Sequence, residues 1–333
     1  MSPAPAGPET GREPLPREPR QTEGQPRGAQ PREPAPAESR AAAEAPPRDL
    51  REMLARGRRF LERHGLPEWR LEAELLIARA VGLRRLDLFQ QLDRPVEPSE
   101  IQRARELLVR RAKREPTAYL TGQREFYGLE FEVGPAVLIP RPESEQLIDL
   151  ARERLRERLT PGRPQRVFEL GTGSGNLAVA LAKHAPGVEV SASDRSEAAL
   201  ELARRNAARH GASVRFLPGD GFAALPADEA PFDLLLSNPP YIDPADRAGL
   251  APEVREHEPA LALFAPPGQP DFWVLEIVRA GLPRLVPGGR ALIELGFDQA
   301  QRLAPLLAAK GLEARFHRDL DGHLRVLELC APE

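Results

Sequence analysis

The chain has 333 residues, enough for two ordinary domains, and its formal net charge of −3 with 29% charged residues excludes a strong whole-chain field for nucleic acid or membrane while leaving a local patch open. Its one cysteine, Cys330, excludes an internal disulfide and reads as a small buried residue, and the six histidines lack metal-ligand spacing, so no metal is expected. No apolar stretch approaches the ~20 residues of a membrane span, and the N-terminus has neither a signal core nor a transit-peptide composition, so a soluble cytoplasmic protein is expected.

Twelve of the 37 prolines fall in the first 47 residues, among Ala, Glu, Arg, Gly and Gln. So little apolar surface cannot offset the entropy of ordering, and residues 1–47 are expected to form a disordered tail. From Asp49 the pattern turns helical. Asp49 can cap LREMLARGRRFLERHG, in which Leu50, Met53, Leu54, Phe60 and Leu61 recur at helical spacing before Gly65 stops the run. EWRLEAELLIARAVG, LRRLDLFQQL and PSEIQRARELLVRRAKRE predict three more helices, the last with Pro98 near its first turn. Residues 48–115 thus predict a small helical bundle. It carries 17 Arg/Lys against 12 Asp/Glu, a surplus of 5 that reads either as solvated helix faces or as a docking surface for an acidic partner. Residues 116–140 lose the helical period; REFYG and LEFEV alternate about a glycine and predict a hairpin linker. PESEQLIDLARERLRERL returns to helix.

Beyond Gly162 strands and helices alternate. RVFEL, VEVSAS, SVRFLP, FDLLLS and RALIEL predict five strands, and helices are expected over residues 176–184, 196–210, 272–285 and 297–310. LEARFHRD and HLRVLEL predict a terminal strand pair. Residues 141–333 therefore predict a doubly wound α/β sheet.

The chemistry sits where these strands end. ELGTGSGNLAVALA places Gly171, Thr172, Gly173, Ser174 and Gly175 between a buried strand and a helix, and the glycines let the backbone approach a ligand. A bare G-x-G-x-G serves a dinucleotide, a nucleoside or a packing turn equally well. Three further features narrow it. Asp194 ends the next strand, where a carboxylate can accept from both ribose hydroxyls. Asp220 ends the third, where it can accept from an adenine amino group. The fourth ends in Asn238-Pro239-Pro240-Tyr241, whose prolines stop the ladder and stiffen the loop at the edge where open α/β sheets hold ligands. A dinucleotide dehydrogenase has no use for that fourth motif, and the loop lacks the G-x-G-x-x-G spacing.

This set resembles the class I S-adenosylmethionine-dependent methyltransferases. The resemblance implies a Rossmann-like, seven-stranded, mostly parallel sheet with S-adenosyl-L-methionine as cofactor. Its adenosine would lie toward Asp194 and Asp220, its methionine part over residues 171–175, and its methyl toward Asn238. A planar nitrogen is a poor nucleophile because its lone pair is delocalised. The Asn238 side-chain carbonyl and the Pro239 backbone carbonyl can each accept one N–H of an NH₂ group, which holds the nitrogen and favours pyramidal geometry as charge develops. Pro240 stiffens the turn, and Tyr241 offers a flat face.

EPTAYLTGQREFYGLEFEV, LIPRPESE, ELGTGSGNLAVALA, FDLLLSNPPYID, EHEPALALFAP and RDLDGHLRVLEL run from Glu115 to the C-terminus. Together they resemble the PrmC/HemK family of peptide chain release factor N5-glutamine methyltransferases. The helical bundle is similar only in length and type, and residues 1–47 lie outside the resemblance. The resemblance implies that the substrate is the glutamine of the Gly-Gly-Gln loop of class I release factors, held by the bundle and the hairpin. It also implies that Arg141 and Glu145 stand beside the cofactor pocket, unless they form a linker salt bridge. One position departs from the family: Gly221 stands where an aromatic often stacks near adenine. Either Phe222 takes over the stacking or the adenine is held less tightly, and residues 128–140 can supply a cap. The alternative is an amino-methyltransferase acting on an exocyclic base nitrogen of RNA or DNA, since Asn-Pro-Pro-Tyr is shared with enzymes of that kind. The acidic balance and a bundle with few aromatics argue against it, less firmly for RNA. A non-catalytic binding module would have no reason to keep the loop, both carboxylates and the clamp together. A monomer without stable nucleic-acid binding is expected.

Overall fold

Asp49 caps the first helix as its position predicts, its Oδ1 accepting from the Glu52 backbone N–H at 2.8 Å. The computed structural model describes residues 45–158 and 162–332, so nearly all of the proline-rich segment read as a disordered tail lies outside the described residues. Four helices, α1 (Leu50–Arg63), α2 (Trp69–Val81), α3 (Arg85–Gln90) and α4 (Pro98–Ala112), form the bundle. Leu50, Met53, Leu54, Ile77, Leu88 and Ala104 bury one cluster between them, and Leu61, Ala73, Leu76 and Leu108 a second. A fifth helix, α5 (Thr117–Thr121), occupies a stretch read from the sequence as non-helical; five residues are too few for a period to show. The hairpin follows as expected, β1 (Gln123–Phe126) antiparallel to β2 (Leu129–Glu132). Its turn residues Tyr127 and Gly128 both have positive φ, 52° and 73°, as a two-residue type I′ turn requires.

The remaining elements are α6 (Glu145–Glu157), β3 (Gln165–Leu170), α7 (Asn176–His184), β4 (Val188–Asp194), α8 (Glu197–His210), β5 (Val214–Pro218), β6 (Phe232–Ser237), α9 (Pro252–His257), α10 (Ala260–Leu263), α11 (Phe272–Glu276), β7 (Leu285–Glu294), α12 (Gln299–Ala309), β8 (Ala314–Arg318) and β9 (Leu324–Cys330). Seven strands make one sheet in the order β5-β4-β3-β6-β7-β9-β8. The first five of these are parallel, and β9 is antiparallel to both its neighbours. This is the class I methyltransferase fold. The strand order reverses between β3 and β6, so a crevice opens outside their carboxyl ends. Side chains alternate across the sheet: Leu234 and Leu236 of β6 join the layer beneath α6 and α7, while Leu235 joins the layer beneath α12.

Two elements depart in detail from expectation. The helix expected over residues 272–285 runs from Phe272 to Arg284 but changes character on the way, with α-helix to Glu276, a wider π-helical turn over Ile277–Gly281 and a tighter 3-10 turn over Leu282–Arg284. Pro283 has no N–H to extend the α-helical ladder, and a Cβ on Gly281 would lie 2.7 Å from Phe222 Cζ, so the chain must pass close there. The fifth strand begins at Leu285, five residues before RALIEL, and shifts register opposite Phe232 and Leu234. The Arg158 guanidinium bonds the Pro287 and Gly288 carbonyls, which holds that irregular start. From Pro46 on, bundle, hairpin and sheet pack as one compact unit. Arg111 of α4, 4% exposed, ties it together by bonding Glu72 of α2 at 3.0 Å and Glu253 of α9 at 3.0 Å. No described helix is long and apolar enough to cross a membrane.

Candidate active site

A cavity of about 460 Å³ opens at the reversal point, within the size range of small-ligand sites. Its floor is the β3–α7 loop. Gly171, Gly173 and Gly175 have φ of 75°, 53° and 80°, values that bar most side chains. Gly175 has a packing reason as well, since a Cβ there would stand 3.1 Å from the Ala203 Cβ of α8. The Gly171 and Thr172 N–H groups both donate to the Ser193 carbonyl at 2.9 Å, which clips the loop to β4.

Glu169, unremarked in the sequence reading, anchors the same loop from below. It is fully buried on β3 and accepts from Thr172 Oγ1 at 2.7 Å and from the Ala178 N–H at 3.0 Å. Burial pushes its carboxyl up to about 7. The signal that could have found it is an acid inside the apolar run VFEL, since an unpartnered carboxylate is not stable there.

Asp194 stands beside the loop at the tip of β4. Its Oδ2 accepts from the Gly173 N–H and its Oδ1 from the Ser196 N–H, each at 2.9 Å. Burial raises its pKa, with these backbone bonds opposing. A carboxylate oxygen has room for a second donor, so both oxygens can still accept from a ligand. Asp220 lies farther along the wall, exposed, with Arg195 Nη1 at 3.8 Å. Ser193, also on the wall, has a buried Oγ without a hydrogen-bond partner. Residues 136–138 and Pro140 roof the cavity. The segment is held by Tyr119, whose hydroxyl donates to the Val137 carbonyl at 2.6 Å. Arg141 lines the cavity and bonds buried Glu258 at 2.5 Å. Glu145 instead accepts from the Tyr127 N–H at 2.8 Å and fastens the hairpin turn to α6.

Asn238, Pro239 and Pro240 form the opposite end of the wall. The segment after them is braced. Ile242 exchanges backbone bonds with Leu263 and Ala265, and Asp243 accepts from the Ala245 and Gly268 N–H groups. Asn238 itself is aimed by residues that sequence reasoning missed. Its Nδ2 donates to Ser144 Oγ at 3.1 Å, and Ser144 Oγ donates to Glu294 Oε2 at 2.5 Å. Because the serine proton goes to the carboxylate, the serine oxygen can only accept, and it takes the amide NH₂. The Asn238 Oδ1 receives no hydrogen bond from a described residue and is left to the cavity.

Two expected site residues lie off this wall. Tyr241 packs on Gly296, where a Cβ would fall 3.0 Å from Tyr241 Cδ2, and it is not among the lining residues. Phe222 turns into the core, 5% exposed, with its ring 5.9 Å from that of Phe168. Gly221 does line the cavity, opposite Trp273. The donor set fits a nucleoside ligand: carboxylates and an orphaned hydroxyl at one end, a free amide oxygen at the other, and an apolar roof between.

Two family descriptions match the chain, the PrmC N-terminal domain over residues 52–122 and the Methyltransferase small domain over residues 143–253. The release factor glutamine methyltransferase of Geobacter sulfurreducens is 42% identical over 262 residues, covering 79% of this chain and 89% of the relative. Its counterpart from Bordetella pertussis is 44% identical over 264 residues, covering 79% and 94%. Among solved structures, the catalytic domain of human METTL16 in complex with a MAT2A 3′UTR hairpin aligns with a TM-score of 0.50 at 17% identity, over 68% of this chain and 82% of that one, a likeness of fold.

Proposed function

The chain belongs to the release factor glutamine methyltransferase family, and from that premise we propose that it methylates the side-chain amide N5 of the glutamine in the Gly-Gly-Gln loop of class I release factors, in the cytoplasm. S-adenosyl-L-methionine, when bound, supplies an electrophilic methyl group on a sulfonium. The chain's own residues then have to hold an NH₂ group in line with that methyl.

The observation that carries this reading is the Asn238 amide, locked by Ser144 so that its oxygen is offered to the cavity. In our assignment Asn238 Oδ1 and the Pro239 carbonyl accept the two N–H groups of the glutamine amide. The prolines and the Ile242 bridge keep these acceptors from relaxing, so no reorganisation is needed as positive charge develops on nitrogen. The glycine loop, Asp194 and Asp220 hold the nucleoside half of the cofactor. A strong base is unnecessary, because the nitrogen proton becomes acidic once the methyl is on. Burial pushes the Tyr241 phenol up to about 12, so it stays protonated and braces the turn. The helical bundle and the hairpin supply the release-factor contact in this reading.

The test is transfer of labelled methyl from S-adenosylmethionine to purified release factor, with a Gln→Ala variant of its Gly-Gly-Gln loop and bulk RNA and DNA as controls. Label should enter the wild-type factor alone. Label in nucleic acid but not in the factor would overturn the assignment.

A further inference from the structure

Asp220 and Gly221 close one end of the cavity, and Trp273 of α11 stands against them. Gly221 has φ +60°, and a Cβ built on it would lie 3.4 Å from Trp273 Cζ3 and 3.9 Å from Cη2. The indole therefore borders the space beside Gly221 at contact distance. A residue other than glycine would be strained by that φ, and its Cβ would rest in ordinary van der Waals contact on the indole. Trp273 packs against the apolar layer that contains Phe222 and Val274, and Phe272 meets it edge-on with centroids 5.1 Å apart. The platform is thus supported from behind while it borders the cavity.

Phe264 is the other aromatic ring on the wall. It belongs to the segment bridged to Ile242, at the Asn238 end, and carries the Arg247 guanidinium 5.7 Å from its centroid. At the Asp194–Asp220 end, Trp273 is the aromatic lining residue among those described. We infer that Trp273 is the platform on which the cofactor's purine stacks, delivered from α11 in place of a side chain at position 221. This rests on the reading of the cavity as the S-adenosylmethionine site. A purine has two apolar faces and a polar rim. Laid on the indole, it gains stacking on one face while Asp220, next to Gly221, is in place to accept from its rim.

The experiment uses the full chain and S-adenosylhomocysteine. The chain has two tryptophans, and Trp69, at the start of α2, is not a lining residue. In a Trp69→Phe variant Trp273 is the sole tryptophan, and saturating S-adenosylhomocysteine should quench or shift the fluorescence excited selectively from it. By calorimetry Trp273→Ala should raise Kd about tenfold or more. Trp273→Phe should recover most of that loss, whereas Trp273→Leu, apolar but without a flat ring, should not. Thermal melts of each variant separate folding from binding. A wild-type protein that binds S-adenosylhomocysteine while Trp273→Ala and Trp273→Leu bind equally well, or a Trp69→Phe variant whose emission ignores the ligand, would overturn the inference alone. A wild-type protein that does not bind S-adenosylhomocysteine would overturn the cofactor reading and this inference with it.

Discussion

Asn238 Nδ2 lies 3.1 Å from Ser144 Oγ, and the two residues are 94 apart in the chain. Ser144 belongs to a tight turn, Pro142–Ser144, and is 1% exposed. Its hydroxyl is the only described partner that decides which end of the Asn238 amide meets the cavity. Ser144→Ala should lower kcat roughly tenfold to a hundredfold by releasing that amide. It should also cost about 1–3 kcal/mol of stability, because Glu294 loses its buried donor. Ser144→Thr, which keeps the hydroxyl, should restore most of kcat. Steady-state kinetics paired with denaturant unfolding would check both; a Ser144→Ala enzyme with wild-type kcat would count against the relay.

Asn238 and Asp194 should separate chemistry from cofactor binding. On the proposed assignment Asn238→Ala removes an acceptor for the incoming nitrogen, so kcat should fall by about 10²–10³ while the Kd for S-adenosylhomocysteine stays within about twofold. Asp194→Ala should weaken that Kd first, since it removes the carboxylate and frees the Gly173 and Ser196 N–H groups that it orders. Calorimetry and single-turnover rates distinguish the two. Equal losses in both measurements for Asn238→Ala would mean that it mainly shapes the cofactor pocket.

Activity and stability should respond to pH in opposite directions through Glu294. Burial pushes this carboxyl from an ordinary 4.5 up to about 7; Ser144, Arg325 and Arg141 favour the ionised form, and Glu143 opposes it. The folded protein therefore keeps a proton that the unfolded chain loses. That contribution to stability is fully present below pH 4.5 and disappears as pH rises through about 7. Glu169 is shifted in the same sense. The clamp needs the ionised form, because only a carboxylate takes the Ser144 proton and leaves the serine oxygen for the Asn238 NH₂. We expect kcat to rise between about pH 6 and pH 8 with a midpoint near 7. Glu294→Gln should flatten that profile at a low level and reduce the fall in Tm between about pH 4.5 and 7. Retention of the wild-type pH–rate profile by Glu294→Gln would refute the coupling.

Arg111 should matter to stability rather than chemistry. It bridges Glu72 and Glu253, and its removal leaves two carboxylates facing each other, with only Arg114 Nη1 at 3.3 Å from Glu253. Arg111→Ala should destabilise by up to about 3 kcal/mol, the low end for a broken buried pair because both acids keep some water. Guanidinium unfolding measures this directly. Arg111→Met, of similar length and apolar, should lose about as much, since Glu72 is left without its cation and Glu253 keeps only Arg114.

Much of the fold was readable because its signals are local. A cap at Asp49, the glycines of the β3–α7 loop and the prolines after Asn238 act within a few residues of themselves. The strand ends that carry Asp194, Asp220 and Asn238 follow from a two-residue period and a turn. The misreading of Phe222 has a distant cause. Phe222 follows Asp220 and looks available for stacking, yet Gly281, 59 positions later, lets the chain pass so close that the ring turns into the core. The helix expected over residues 272–285 does form, but it widens over Ile277–Gly281, where the chain makes that same approach.

Sequence alone determined the strand–helix alternation, the glycine loop and the proline-stiffened Asn238 turn, since backbone dihedrals and hydrophobic period are properties of neighbouring residues. Tertiary structure alone decided which way the Asn238 amide faces, what ties the bundle to the sheet, and which ring borders Gly221. Ser144 and Asn238, Arg111 and Glu253, and Gly221 and Trp273 meet only because the sheet order folds distant segments onto one edge, and no local pattern encodes a contact whose partner is elsewhere in the chain.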